Sequence, residues 1–502
     1  MEPNKGADLL LINPGNQQQI YQSLANNISA IEPPIWIGLL ASFAMTQGYS
    51  VEIIDANAEG LSPKESANQT GDINPTLVCV VAYGQQPSAS TQNMPACTEV
   101  CKSIKEMHPH IPMILIGGHV ASLPERTLKE SDVDFVSDGE GLHTLVQLIE
   151  AIKSGSKRFD KVQGLLYWES DHIRRTPSAP LLNSLDTQIP SIPWQLFPMD
   201  KYRAHNWHCL DSMVREPYAA IYTTLGCPYH CDFCCIQAPF KSGENLLGYG
   251  STINSYRRWT PESIIKQIDI LVQDFNVKNI KIADELFVLN PRHVEGICDL
   301  IIERGYELNI WAYTRVDTVQ FGIGSKLKNA GFNWLACGIE AANEQVRDSV
   351  QKGFDQEDIY KTLNFIRQEG INVIGNYIFG LPDDNMATMQ ETLDMAIDLN
   401  CEFANFYCAM AYPGSELYNI ALKEGWSLPK TWDGYSQHSV DTQPLPTKYL
   451  SSSEVLKFRD NAFNTYFTGQ KYQDMISTKF GSDKVAYIND MLAVGLERRL
   501  AY

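Results

Sequence analysis

Four cysteines fall within nine positions of the stretch "YTTLGCPYHCDFCCIQ", residues 222–237. Cys227, Cys231 and Cys234 are spaced C-x3-C-x2-C, directly after a short β-branched and aromatic run and a glycine. Three thiolates on one tight loop can hold three irons of a four-iron four-sulfur cluster, leaving the fourth iron open to a substrate. A structural zinc site would want a fourth Cys or His at zinc-finger spacing. His230 lies in the loop, but beside Cys231 it is badly placed to reach the same metal. Zinc and buried free thiols stay open as alternatives at this point. Cys235 offers a competing frame, C-x3-C-x3-C, but adjacent cysteines seldom serve one cluster, so Cys235 reads as a core thiol.

The elements that must position this loop come from the rest of the chain. Its 502 residues allow several domains, and its 44% apolar and 20% charged fractions are those of a globular protein. A formal charge of −19 with no Lys/Arg run argues against a nucleic-acid binder. No apolar stretch approaches the ~18 residues of a membrane span; the longest candidate, Pro34–Met45, reads as a buried helix. The start "MEPNKGADLL" lacks a signal peptide's basic and apolar regions, so a cytoplasmic location is expected. In that compartment twelve cysteines are ligands, nucleophiles or core residues rather than disulfides.

Residues 1–155 alternate strand and helix signals. Apolar runs at Leu9–Ile12, Val51–Ile54, Leu77–Ala82, Met113–Ile116 and Phe135–Val136 predict a doubly wound parallel sheet, Rossmann-like in architecture. The tracts after those runs, "NPGNQQQ", "DANAEG", "YGQQPSAS", "GGHVAS" and "SDGEGLH", suit a large polar ligand at the strands' C-terminal ends. Residues 156–215, proline-rich, read as an extended linker packed on its neighbours. From 216 to 425 strand candidates alternate with helical patterns through six βα units, the pattern of a partial (β/α)6 barrel. Residues 426–502 read as a small, mixed, α-rich extension with a helix near Ser453–Thr465. Its aromatic residues Trp426, Trp432, Tyr435, Tyr466 and Tyr472 read as core.

C-x3-C-x-aromatic-C after the first strand of six βα units resembles the radical S-adenosylmethionine (SAM) superfamily. That resemblance implies Cys227, Cys231 and Cys234 as ligands of a [4Fe–4S] cluster, with Phe233 beside it, and SAM bound to the open iron and cleaved to a 5′-deoxyadenosyl radical. It implies Asp284 and Glu285 of "IADELF" at the SAM amino group, and Arg315 of "YTRVDTV" at its carboxylate or ribose. Glu340 of "GIEAAN" is implied at the ribose, with Ala341 where relatives often carry Ser. "GNYIFGLPDD" is similar to the adenine-side element, implying Ile378 and Gly380 as contacts, with the acidic position filled by Asp383 or Asp384.

The N-terminal half resembles the cobalamin-binding branch of the same superfamily, chiefly through residues 51–62 and 117–141. Asn13, Tyr83, Gly117, Gly118, Gly139 and Glu140 are the implied cobalamin contacts. One departure is plain: the first strand is not followed by D-x-H-x-x-G. "DANAEG" has Asn57 in the histidine slot and follows the second strand, a coincidental match. His119 is a remote candidate for the lower cobalt ligand; a ring held by its own surroundings is the plainer reading. The domain could also be empty. The function implied is a cobalamin-dependent radical SAM enzyme, most often a methyltransferase at an unactivated carbon. Cyclisation, ring contraction or oxidation without methyl transfer uses the same parts, and a non-catalytic iron–sulfur sensor would not need the SAM-side loops. The implied partners are a small-molecule substrate and an external flavodoxin- or ferredoxin-like electron donor.

Overall fold

The computed structural model describes residues 6–15, 20–84, 86–211, 214–250 and 252–500. Parts of "NPGNQQQ" (residues 16–19) and of "YGQQPSAS" (residue 85) lie outside those described. Among the described residues no helix is long and apolar enough to cross a membrane.

The first sheet has seven strands in the order β2-β1-β3-β4-β5-β6-β7. β1 (Leu9–Asn13), β2 (Val51–Asp55), β3 (Leu77–Ala82), β4 (Met113–Gly117) and β5 (Phe135–Ser137) are parallel. β1, β3 and β4 are buried along their whole length, which is why they read as continuous apolar runs: helices cover both faces. The helix Ile35–Thr46 packs its buried face on β1 and β2, and Met94–Met107 packs on β3. The helix Pro63–Ile73, which the periodicity does not announce, is fixed by a capping box between Ser62 and Glu65.

Residues 156–215 are more than an extended linker. β6 (Leu165–Glu169) and β7 (His172–Arg175) form a hairpin that adds two antiparallel strands beyond β5. The sequence hides them because β7 is an edge strand carrying His172, Arg174 and Arg175 in place of apolar alternation. The proline-rich tract then crosses between the two sheets. Leu185, Ile189, Trp194 and Tyr202 are buried in a core cluster continuous with both.

The second sheet is six parallel strands in the order β15-β14-β13-β12-β11-β8. They are β8 (Tyr218–Ile221), β11 (Asn279–Ile282), β12 (Asn309–Arg315), β13 (Phe332–Glu340), β14 (Asn372–Phe379) and β15 (Phe403–Cys408). A two-stranded ribbon, β9 (Thr224–Leu225) with β10 (Arg257–Arg258), flanks the cysteine loop. The crossover after β13 differs from expectation. Glu344–Asp348 is a single turn, and Gln356–Gln368 is the helix that leads to β14. The intervening segment is wound around the fully buried Arg347, which donates to the carbonyls of Ala341, Ala342 and Phe354. The chain ends in three helices, of which Ser452–Thr468 packs on β15. Tyr435, Tyr466 and Tyr472 are core residues.

Candidate active site

The cysteine loop is braced from three sides. The Cys227 amide donates to Gln237 Oε1 at 3.0 Å, and Gln237 Nε2 donates to Glu244 Oε1 at 2.5 Å. Ser255 donates to the same carboxylate through its amide and hydroxyl, each at 2.7 Å. Asn254 Nδ2 donates to the carbonyls of Cys227 (3.0 Å) and Tyr229 (2.7 Å). From across the barrel, Gln351 Nε2 donates to Asp232 Oδ1 at 2.6 Å. Sequence spacing could not single out Gln237, Glu244, Asn254 or Gln351, because they act on the loop's backbone and polar rim from a distance in the chain.

Burial pushes the Cys227 thiol up to about 12 and raises Cys231 and Cys234 as well. Such thiols ionise when a metal arrives to compensate the charge. Among the described residues no three His, Cys, Asp or Glu side chains converge on a single-ion site. A four-iron cluster makes no such demand, since each thiolate takes its own iron. Arg315 Nη1 lies 3.6 Å from Cys231 Sγ, and its guanidinium stacks 4.4 Å over the Tyr229 ring. Cys235 is buried, with the Tyr83 and Tyr412 phenols as electrostatic neighbours.

The carboxylates implied for SAM divide into two kinds. Asp284 is saturated: Oδ1 accepts from the amides of Thr223 (2.6 Å) and Thr224 (3.1 Å), and Oδ2 accepts from the Thr223 hydroxyl. It clamps the start of the cysteine loop to β11 and is no free ligand. Glu285, next in the chain, has no hydrogen bond or ion pair among the described residues, and its surroundings push it up to about 7, burial being the largest cause. An enclosed carboxylate without a partner fits an incoming ammonium group. Glu340 sits at an irregularity of β13 with φ of 65°, and its carboxylate meets Lys352 Nζ at 2.7 Å. A non-glycine residue held in that region stores strain of the kind found at functional sites. Lys352, which the sequence reading missed, also stands 5.9 Å over the Phe233 ring. Arg315 is shared with Asp317 (2.7 Å) and the Gly353 carbonyl (3.0 Å).

Phe233 and Ile378 pack with Ala341, Val346, Val350 and Leu381 in one small apolar cluster beside the loop. Gly380 has φ of 81°, and of the two acidic residues it is Asp384 whose Oδ2 accepts from the Gly380 and Leu381 amides, at 3.0 and 3.1 Å. Asp383 instead pairs with Lys448 at the surface.

On the N-terminal side, a narrow cleft opens where the strand order reverses between β1 and β3. Asn13, Trp36 and Tyr83 line it from the first sheet, and Tyr222, just past β8, lines it from the barrel. Tyr83 stacks on Trp36 at 4.4 Å, and its hydroxyl is buried with no hydrogen-bond partner. Asn13 donates to Asp55 Oδ1 at 2.7 Å; Asp55 also caps the next helix and accepts from Tyr202, so "DANAEG" is a structural turn. The cleft's place at a topological switch point, and a buried Tyr83 hydroxyl unpartnered among the described residues, fit a polar cofactor.

Three implied cobalamin contacts have other work here. A Cβ on Gly117 would collide with the Ala82 carbonyl, so its glycine serves the close approach of β3 and β4. Gly139, with φ of 155°, lets Asp138 offer its carbonyl to Ser242 Oγ at 2.7 Å. The Glu140 carboxylate is bound to Arg257 at 2.7 Å and to the Leu182 amide at 2.9 Å, which ties the two halves of the chain together. A Cβ on Gly118 would come only into ordinary van der Waals distance of Ser90 and Tyr83, so no close approach demands glycine there. His119 is buried, with Nδ1 3.2 Å from the Thr91 hydroxyl and its ring edge-on to Trp432; burial drives it down to about 3.

These two halves match two family profiles in the same order: the B12 binding domain over residues 21–149 and the Radical SAM superfamily over residues 221–396. The chain joins the B12 binding domain and the radical SAM domain found in cobalamin-dependent radical SAM enzymes, and its cofactors are a [4Fe–4S] cluster, SAM and cobalamin. It is 27% identical over 440 residues to an uncharacterized methyltransferase of Pyrococcus horikoshii, covering 88% of each chain. It is 25% identical over 405 residues to the anaerobic magnesium-protoporphyrin IX monomethyl ester cyclase of Rubrivivax gelatinosus, covering 79% of this chain and 68% of that one. In fold it is similar to the radical SAM methyltransferase TsrM of Kitasatospora setae, with a TM-score of 0.65 at 15% identity, covering 98% of this chain and 96% of that one.

Proposed function

We propose that this chain transfers a methyl group to an unactivated carbon of a small molecule. The observation that carries the reading is the junction at Tyr222: the cleft of the first domain opens there, one residue past β8 and a few residues before the cysteine loop. When bound, the cluster and SAM supply the 5′-deoxyadenosyl radical, and cobalamin supplies the methyl carrier. The residues do the placing. Cys227, Cys231 and Cys234 hold three irons on a loop fixed by Gln237 and Asn254. Glu285 receives the SAM ammonium, and Arg315 and Lys352 bring positive charge to its carboxylate. Glu340 faces the ribose, while Phe233, Ile378 and the backbone at Gly380 wall the adenine. Asn13 and Tyr83 line the cobalamin cleft, and Gly118 puts no side chain against the Tyr83 ring. The enzyme works in the cytoplasm and takes electrons from a flavodoxin- or ferredoxin-like donor.

Anaerobic turnover with methyl-labelled SAM tests this. Label in the product, with both S-adenosylhomocysteine and 5′-deoxyadenosine formed, is the expected result. Deoxyadenosine with an altered but unlabelled product would replace methyl transfer by cyclisation or oxidation, the direction in which the cyclase relative points. Cobalamin should co-purify near one per chain. Its cob(II)alamin spectrum should lack nitrogen superhyperfine splitting, because His119 is packed against Thr91 and Trp432, and His143 edge-on against Phe43.

A further inference from the structure

The barrel strands carry an exposure pattern that their sequence alone does not explain. A parallel sheet covered by helices should be buried on both faces. Asn333 and Asn372 are partly exposed at the N-terminal ends of β13 and β14; towards the C-terminal ends the partly exposed residues are Tyr313 on β12, Gly338 on β13, Asn376 and Ile378 on β14, and Asn405 and Tyr407 on β15. The registers place this second group on one face: Arg315 pairs with Gly338, Gly338 with Asn376, Asn376 with Asn405, and Ile378 with Tyr407. Tyr222 and Glu285, one and three residues past β8 and β11, are partly exposed as well. A strip of exposure with period two, confined to the C-terminal halves of these strands, marks an open lumen on the concave side. Its floor is closed by the buried pair Lys281–Glu32 at 2.9 Å and by Trp311, against which Tyr313 packs edge-on at 4.9 Å. Tyr313 feels Tyr407, Tyr222 and Glu285 electrostatically, so these groups share one space.

The polar chemistry of that wall is specific. Asn405 Nδ2 donates to Asn376 Oδ1 at 2.9 Å, and neither side chain has another hydrogen bond among the described residues. The pair therefore presents the amide nitrogen of Asn376, with both its N–H groups unused among the described residues, beside the carbonyl of Asn405. Exchanging O and N in both side chains keeps a donor beside an acceptor and swaps which residue supplies each, so the lactam-type match survives while the roles below follow the orientation described. Three tyrosine rings, from Tyr222, Tyr313 and Tyr407, supply flat apolar surface around it. Over Gly338, between Arg315 and Asn376, the Glu340 carboxylate and the Lys352 ammonium come too close for a side chain, so this wall is lined by charge on one side.

We propose that this lumen is the substrate site and that it selects a planar ring bearing a lactam-type edge, N–H beside C=O. Asn405 accepts from the ring N–H, Asn376 donates to the ring carbonyl, and the tyrosines flank the plane. This deepens the reading of a small-molecule methyl acceptor and rests on it.

The test is binding, measured apart from turnover. The cluster-loaded full chain is dialysed to equilibrium with 2-quinolone and with N-methyl-2-quinolone, which lacks the donor. The expected result is that 2-quinolone is retained and N-methylation weakens it roughly tenfold, the cost of leaving a site carbonyl unpaired. Asn376→Leu and Asn405→Leu should weaken 2-quinolone to a similar extent while keeping the cluster absorbance. Should either variant misfold, Asn376→Asp, which loses the donor but keeps the shape, serves in its place. Equal retention of the two probes, equal retention by wild type and variants, or no retention of either probe overturns the proposal. Retention of 2-quinolone by a chain that gives no labelled product in the SAM experiment would instead sink methyl transfer and leave the lumen's selectivity standing.

Discussion

Lys352 Nζ lies 2.7 Å from Glu340 Oε1, and both side chains are at least nine-tenths buried. Glu340 meets its partner from a left-handed backbone with φ of 65°, at the point where β13 leaves register with β14. The pair holds a cation near Cys231 and a carboxylate at the mouth of the barrel, each limiting the cost of burying the other.

Breaking this pair should show in SAM binding before it shows in the cluster. Lys352→Met is expected to weaken SAM, measured by equilibrium dialysis on the cluster-loaded chain, by roughly tenfold or more while iron and sulfide content is kept. Unchanged affinity would remove Lys352 from the site. The backbone gives an independent readout: Glu340→Gly should melt above Glu340→Ala by about 1 kcal/mol of stability, because glycine alone takes this φ without strain.

Replacing Cys227, Cys231 and Cys234 together by Ala should abolish the visible absorbance of the reconstituted protein. Cys235→Ser should keep it and cost on the order of 1 kcal/mol, as expected for a small buried side chain. Loss of the cluster in Cys235→Ser, with Cys234→Ser spared, would reverse the choice of frame.

Asp55 gives the fold a pH dependence of unusual sign. Burial, only partly offset by hydrogen bonds from Tyr202, Asn13 and Ala58, holds its folded-state pKa up at about 6 against 3.8. Below pH 3.8 the group is protonated in both states and costs nothing. As pH rises towards about 6 the unfolded chain releases its proton first, so stability falls and then stays lower. The loss is on the order of 3 kcal/mol at most. Thermal melts of wild type and Asp55→Asn at pH 4 and pH 8 should show the variant gaining on the wild type at the higher pH. A pH-independent difference would contradict the assignment.

The Glu140–Arg257 bond is expected to hold the two domains in place. Arg257→Met leaves a buried carboxylate unpaired and should cost about 3 kcal/mol or more, with faster proteolysis near residues 176–215. Adding Glu140→Gln should recover part of the loss. If the double variant melts no higher than Arg257→Met, the pair is not coupled.

Local signals were enough for much of this molecule. The buried strands of both sheets announced themselves as apolar runs because a parallel sheet sealed by helices needs apolar side chains on both faces. The cysteines were legible because three ligands on one loop must lie close in sequence. β7 was not legible, since an edge strand at the surface is relieved of the apolar pattern. Nor was the helix Gln356–Gln368, whose start follows a loop organised by the buried Arg347 rather than by a cap from its own side chains.

The sequence by itself determined which groups could do chemistry: three thiols, the neighbouring acids Asp284 and Glu285, Arg315 and Glu340. Only the tertiary structure decided which of them are free to do it. Asp284 and Glu285 are adjacent and chemically alike, yet one is spent on Thr223 and Thr224 while the other stands unpaired in the barrel. Glu140 looked like a ligand and is a strut, because its partner Arg257 lies more than a hundred residues away. A side chain's type is local, but whether its hydrogen bonds are already made depends on what folding brings against it, and that is a property of the whole chain.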